Sequence, residues 1–114
     1  MAFSVRKDPS GVVVIGVEGQ LIVANRHELK EKVAEAVGFG SRKVLIDFTD
    51  TGYIDSSGLG ALVSLAKKLR EAGGELRLAG LNEDLRTLFE LTKLDTLFSI
   101  TASPEEAIQS FSAS

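Results

Sequence analysis

The segment Ile54-Asp55-Ser56-Ser57-Gly58-Leu59-Gly60 sets a carboxylate and two hydroxyls just ahead of two glycines. Two kinds of chemistry suit such a set. If a helix starts here, Asp55, Ser56 or Ser57 can cap it by accepting a bond from a backbone N–H that has no helical partner. The same helix start carries about half a positive charge and welcomes an anion, so a phosphate on a serine would be tolerated there. Gly58 and Gly60 keep the surface low enough for another protein's backbone to approach, although each lowers helix propensity by roughly 1 kcal/mol relative to Ala. A cap with packing glycines and a phosphate-accepting docking surface both fit these residues.

Other chemistries lack parts. His27 is the only histidine, and a Ser–His–Asp hydrolase would need it beside Ser56 or Ser57 with a carboxylate behind it. It falls instead on the polar side of a helical pattern, between Arg26 and Glu28, and the serine motif is not a Gly-x-Ser-x-Gly elbow. No catalytic residue is assigned. With one His and no Cys, a metal site would have to be built from carboxylates alone, so none is expected. Gly58-Leu59-Gly60 lacks the third glycine of a dinucleotide fingerprint, and no Gly-Lys-Ser/Thr pair exists, so no cofactor is expected.

Composition narrows the partners. The net charge is −3, from 13 basic and 16 acidic residues, without the basic face of a nucleic-acid binder. The cluster Lys67, Lys68 and Arg70 is followed by Glu71 and reads as a solvated helix face. The absence of cysteine fits a reducing cytoplasm. Met1 to Ser10 has no apolar core and is not a signal peptide. The run Val12 to Val17 is far short of a membrane span. A cytoplasmic protein acting as a monomer or weak dimer is the expectation.

The elements that must position the serines follow from periodicity. Phe3 to Arg6 and Val12 to Val17 read as strands joined by the turn Asp8-Pro9-Ser10-Gly11, and Gly19-Gln20 breaks the pattern. Asn25 to Val37 is helical, with Leu29, Val33, Ala36 and Val37 on one face, Asn25 as cap, Glu28 completing a loose capping box, and Gly38 or Gly40 as stop. Lys43 to Phe48 is a strand and Leu59 to Ala72 a strongly amphipathic helix ended by Gly73-Gly74. Glu75 to Ala79 is a strand, Asn82 to Leu91 a helix and Leu97 to Ile100 a weak strand. Ser103-Pro104-Glu105-Glu106 caps a last helix, Pro104 to Phe111. The order ββαβαβαβα implies a mixed, mostly parallel sheet of four or five strands with about four helices, in one domain spanning 1–114.

Tyr53-Ile54-Asp55-Ser56-Ser57-Gly58-Leu59-Gly60 resembles the phosphorylation-site motif of bacterial anti-sigma factor antagonists, which consist of a STAS domain. The strand with Asp47 and Asp50, the stretch Gly73-Gly74-Glu75-Leu76-Arg77-Leu78, and Leu85-Arg86-Thr87-Leu88-Phe89-Glu90-Leu91-Thr92-Lys93-Leu94 extend the resemblance over nearly the whole chain. It implies a STAS fold and a protein-binding switch with no catalysis of its own. Ser56 would be phosphorylated by a partner that is both a GHKL-type serine kinase and an anti-sigma factor, and a phosphatase would reverse the change. ATP and magnesium would belong to the kinase. Asp55, Ser56, Ser57, Gly58, Leu59 and Gly60, with Gln20 and Ile22, would meet the partner, with Ser57 an inward-facing cap or hydrogen-bonding group. Many members carry Gly-Glu-[Leu/Ile]-Asp after the second strand. Here Gly19-Gln20-Leu21-Ile22 puts Gln20 and Ile22 at the two acidic positions. Leu21, Ile22, Val23 and Ala24 then form either an apolar contact patch or a cover for the core. The alternative is a STAS subunit of a stressosome-like scaffold or of a lipid-transport ATPase complex, with Ser56 a structural cap.

Overall fold

In the computed structural model, which describes residues 2–113, the β-branched run of the sequence forms the inner part of a five-stranded sheet. Strand β1 (Phe3–Lys7) pairs antiparallel with β2 (Val13–Val17). β2, β4 (Lys43–Asp47), β6 (Glu75–Ala79) and β7 (Ser99–Thr101) then run parallel. The spatial order is β1-β2-β4-β6-β7, so each parallel neighbour is reached by a helical crossover. This is the mixed, mostly parallel sheet expected from the alternation of strand and helix patterns.

Two short strands add a second sheet that periodicity does not announce. β3 (Gly19–Leu21) and β5 (Thr51–Ile54) pair in parallel, with Gln20 beside Tyr53 and Leu21 beside Ile54. Gly19-Gln20 therefore begins a strand rather than merely breaking one. The β5 end of this sheet is anchored to its surroundings: the buried Thr51 donates its hydroxyl to the Val17 carbonyl at 2.6 Å, and Asn82 Nδ2 donates to the Thr51 carbonyl at 3.3 Å.

The helices are α1 (Arg26–Gly38), α2 (Ser56–Glu71), α3 (Glu83–Leu91) and α4 (Pro104–Ala113). A single 3₁₀ turn, Leu94–Thr96, precedes β7, which starts two residues later than its sequence pattern suggests. α2 starts three residues before the expected Leu59, which brings both serines into its first turn. α1 and α2 both end on a left-handed glycine, Gly40 at φ +97° and Gly73 at φ +83°. Ser41 N–H bonding to Ala36 O and Gly74 N–H bonding to Leu69 O close these two ends. Ser103 caps α4 as expected, its Oγ accepting from Glu106 N–H at 3.2 Å.

The sheet is covered unequally. α1, α2 and α3 bury the larger core on one face, where Ile15, Leu29, Ile46, Leu62, Leu78 and Phe89 are fully enclosed. On the other face α4 alone covers Val12, Val14, Leu45 and Ala79 with Ala107 and Phe111. Arg77, buried in β6 on that side, stacks over the Phe111 ring at 4.6 Å. It also donates through Nη1 to Ser110 Oγ and pairs with Glu75 through Nε at 2.7 Å. Replacing Phe111 by Ala removes the largest side chain from the smaller cluster and should cost about 3 kcal/mol or more. Because α4 alone loses its anchor, hydrogen exchange should speed up in α4 well before it does in α1 and α2. Exchange read by mass spectrometry checks this, and uniform acceleration along the chain would contradict the division into two unequal cores.

Candidate functional site

Asp55 is the cap of α2, with extended backbone (φ −89°, ψ 177°) and Oδ1 accepting from Gly58 N–H at 2.7 Å. Its second oxygen is also engaged: Oδ2 accepts from Val23 N–H at 3.1 Å, 32 residues away in the chain. Its own N–H donates to the Leu21 carbonyl at 3.1 Å. One residue thus joins the start of α2 to the end of β3 and to the loop that follows. The role of cap therefore falls to Asp55 and not to Ser57, which is half-buried one position inside the helix.

Ser56 is the first residue of α2 and is exposed. It belongs to the first turn, where the leading N–H groups of any helix lack intrahelical acceptors. Asp55 satisfies the one on Gly58, and the positive end of the helix dipole lies beside the exposed Ser56. Such a place stabilises an anion attached to the Ser56 oxygen.

The two glycines serve different ends. Gly58 is buried, and a Cβ on it would sit 2.5 Å from the Leu21 carbonyl oxygen and 2.9 Å from Ile54 Cγ2. It lets the helix start press against the backbone of β3. This corrects the expectation that it lowers an outer surface. Gly60 is exposed with open space around its Cα, and it alone of the pair keeps the surface low. Leu59, between them, is half-buried and packs on the main core.

The neighbouring loop is held by Asn25 in a way that departs from the sequence reading. Asn25 Oδ1 accepts from Ile22 N–H at 2.9 Å, and its Nδ2 donates to the Gln20 carbonyl at 2.9 Å. It makes no side-chain cap for α1, so the expected capping box with Glu28 does not form. The Asn amide instead closes the loop Ile22–Asn25 on itself, and Asp55 ties that loop to α2. Of the segment's apolar residues, Leu21 is fully in the core, Ile22 is half-buried, and Val23 and Ala24 are exposed.

The structure therefore brings Ser56, Asp55, Gly60 and Val23 to one end of the molecule, beside a sheet edge on which Gln20 neighbours Tyr53. Val23 at 58% and Tyr53 at 56% exposure are large side chains left in solvent there. Periodicity does not single out Tyr53, because the four-residue β5 is too short to establish an alternation. Asn25, read as a helix cap, is a loop clamp. His27 is exposed on the first turn of α1. Among the described residues no group of three or more His, Cys, Asp or Glu side chains is placed to hold a metal ion, and no helix is long and apolar enough to cross a membrane.

Known proteins resemble the chain along most of its length. The STAS domain profile matches residues 4–107. The anti-sigma-B factor antagonist of Bacillus subtilis (strain 168) is 32% identical over 97 residues, covering 85% of this chain and 88% of that protein. The solved structure of the Thermotoga maritima protein TM1081 superposes with a TM-score of 0.86 at 28% identity, over 95% of this chain and 92% of that one. The Bacillus protein SpoIIAA in its unphosphorylated form shares the fold, with a TM-score of 0.74 at 23% identity over 96% and 97% of the two chains.

The different surroundings of the two glycines give a paired prediction. Gly58→Ala should destabilise the fold by about 1–3 kcal/mol, because backbone and not a flexible side chain blocks the new methyl. Gly60→Ala should be neutral or stabilising by up to about 1 kcal/mol, as for any exposed helical glycine. Urea unfolding of both variants checks this. Equal effects of the two substitutions would contradict the close approach of α2 to β3.

Proposed function

The chain belongs to the STAS domain family, and we propose that it is an anti-sigma factor antagonist whose binding is switched by phosphorylation of Ser56. The observation that carries this is the division of labour at the start of α2. Asp55 meets the structural needs of the helix end with both carboxylate oxygens, and the exposed Ser56 hydroxyl is left over for chemistry. The Bacillus subtilis relative, named an anti-sigma-B factor antagonist, supports the class of partner.

In this reading the unmodified protein binds an anti-sigma factor that is also a GHKL-type serine kinase. The docking surface comprises Asp55, Ser56, Ser57, Leu59 and Gly60 with Gln20 and Ile22, the exposed Val23 and Tyr53 extend it, and the buried Gly58 supports it from beneath. Kinase-bound ATP with magnesium supplies the phosphoryl group. A bond forms between Ser56 Oγ and the γ-phosphorus, the bond to ADP breaks, and the hydroxyl proton passes to a base of the kinase. The product carries about −1.5 to −2 charges and three acceptor oxygens. Within the domain the N-terminus of α2 offsets this charge. Against a closely packed partner the same group is bulky and poorly solvated, and removing it from the interface is the cheaper outcome. A phosphatase resets the switch. The protein performs no catalysis itself and works in the cytoplasm.

Gln20 and Ile22 shape the contact. An edge with glutamine and isoleucine offers amide and apolar surface in place of carboxylates, so packing of Ile22, Val23 and Tyr53 contributes more than ion pairing does. That same neutrality favours the second reading, a STAS subunit of a stressosome-like scaffold or of a lipid-transport ATPase complex in which Ser56 is not modified.

Binding to the cognate kinase, measured by calorimetry, separates the two. Ser56→Asp should fold normally and lose affinity by about 100-fold or more, equivalent to roughly 3 kcal/mol, while Ser56→Ala should bind and resist release by ATP. Mass spectrometry of protein from its native cells should find one phosphate on Ser56 that varies with growth condition. Undiminished binding by Ser56→Asp, with Ser56 unmodified in every condition, would establish the scaffold reading instead.

A further inference from the structure

Strand β1 lies at the end of the sheet and pairs only with β2 among the described residues. Its inward-facing backbone groups can be identified. Glu18 N–H donates to Ala2 O at 2.7 Å and Asp8 N–H donates to Val12 O at 2.8 Å, in register with the pairs Ser4–Gly16 and Arg6–Val14. Antiparallel ladders alternate, so the N–H and C=O groups of Phe3, Val5 and Lys7 point away from the sheet. Such a row is a template for another strand.

The flank of this edge is apolar. Phe39, at the C-terminal end of α1, is 90% exposed, and Val5 is 52% exposed. With Val13 and Ala36 they line a groove of about 400 Å³ that also holds the charged Lys32 and Glu35. A lone exposed side chain needs no explanation, but an exposed phenylalanine beside a free strand edge is an unfinished contact.

We infer that this edge joins two copies of the chain, β1 against β1, in a two-fold dimer with a continuous sheet. The sequence of the strand favours a second copy over a foreign strand. In the antiparallel register centred on Val5 the facing pairs are Val5–Val5, Ser4–Arg6 and Phe3–Lys7. No like charges are opposed, and the three outward residues Phe3, Val5 and Lys7 all fall at hydrogen-bonded positions, Val5 against its own copy and Phe3 against Lys7. A register centred on Arg6 would oppose two arginines. The same axis brings the Val5 and Phe39 side chains of both copies to one place. Lys32 and Glu35, one helical turn apart, give the groove a charge pattern complementary to itself. α1 has 13 residues, so Phe39 lies about 20 Å along the helix from the loop at Ser56. Pairing leaves that face open, and the inference does not depend on the function proposed for it.

Sedimentation equilibrium of the purified chain should show a monomer–dimer equilibrium across the micromolar to millimolar range. Val5→Lys and Phe39→Ser should each weaken it by about tenfold or more, a change of about 1.4 kcal/mol, with unchanged circular dichroism. Ser56→Asp should leave it as it is. The chain has no cysteine, so Val5→Cys places one thiol per copy, and Cα atoms about 5.5 Å apart in a hydrogen-bonded pair lie within disulfide reach. Oxidation should link these copies rapidly, and link Lys67→Cys copies slowly. A wild type that stays monomeric throughout the range would overturn the inference. So would a dimer indifferent to both substitutions, equal cross-linking of the two cysteine variants, or a monomer that captures an extended acidic peptide at this edge.

Discussion

The start of α2 rests on backbone. Helices commonly dock through side chains, whose rotamers leave some freedom, but here Gly58 brings the helix to within van der Waals reach of the Leu21 carbonyl. Asp55 then fastens the contact with bonds to Leu21 O, Val23 N–H and Gly58 N–H. The β3–β5 pairing, the loop closed by Asn25 and the first turn of α2 all meet in this small volume. Displacing any one of them would leave several buried or half-buried polar groups without partners, which is costly. The place of Ser56 is therefore set by chain geometry and does not depend on what its side chain touches.

In the proposed switch, that arrangement would let a small modification act without a change of fold. The carboxylate beside Ser56 has its charge met by two N–H groups, and the helix dipole adds a further positive contribution. The region is thus electrostatically prepared for one more anion on the protein's own side. Under that proposal the change would be felt where a second surface has to close over it. Arg77 handles charge differently at the far side of the sheet: its guanidinium is buried, but Glu75, Ser110 and the Phe111 ring surround it, and it serves attachment of α4.

Much of this was legible from residue order. The runs at β2, β4 and β6 and the apolar stripes of α1, α2 and α3 are strong periodic signals, and they carry the parallel sheet with them. The segment 54–60 stood out because polar and glycine residues interrupt a strand-to-helix passage. β3 and β5 did not, since three and four residues give no period and each strand exists only because the other lies alongside. Asn25 shows a second limit. An asparagine ahead of a helix can bond forward into the helix or backward into its own loop, and only the position of Ile22 and Gln20 decides between them. Asp55, Ser56 and Ser57 were equivalent as caps until Val23, far away in sequence, offered a second N–H to one of them. Gly58 and Gly60 look alike in the sequence and differ only in what lies opposite.

The small β3–β5 sheet has one further consequence. Leu21 and Ile54 face inward and belong to the main core, while their chain neighbours Gln20 and Tyr53 face solvent. The alternation of a strand thus separates two selective pressures over a span of a few residues. Inward positions are held to shape and volume, and outward ones are free to drift with little penalty to folding. Duplicated copies of such a chain can diverge in whom they recognise while the scaffold beneath stays the same. In the function proposed above, Gln20 is an outward position of this kind, so its identity would bear on recognition and little on folding.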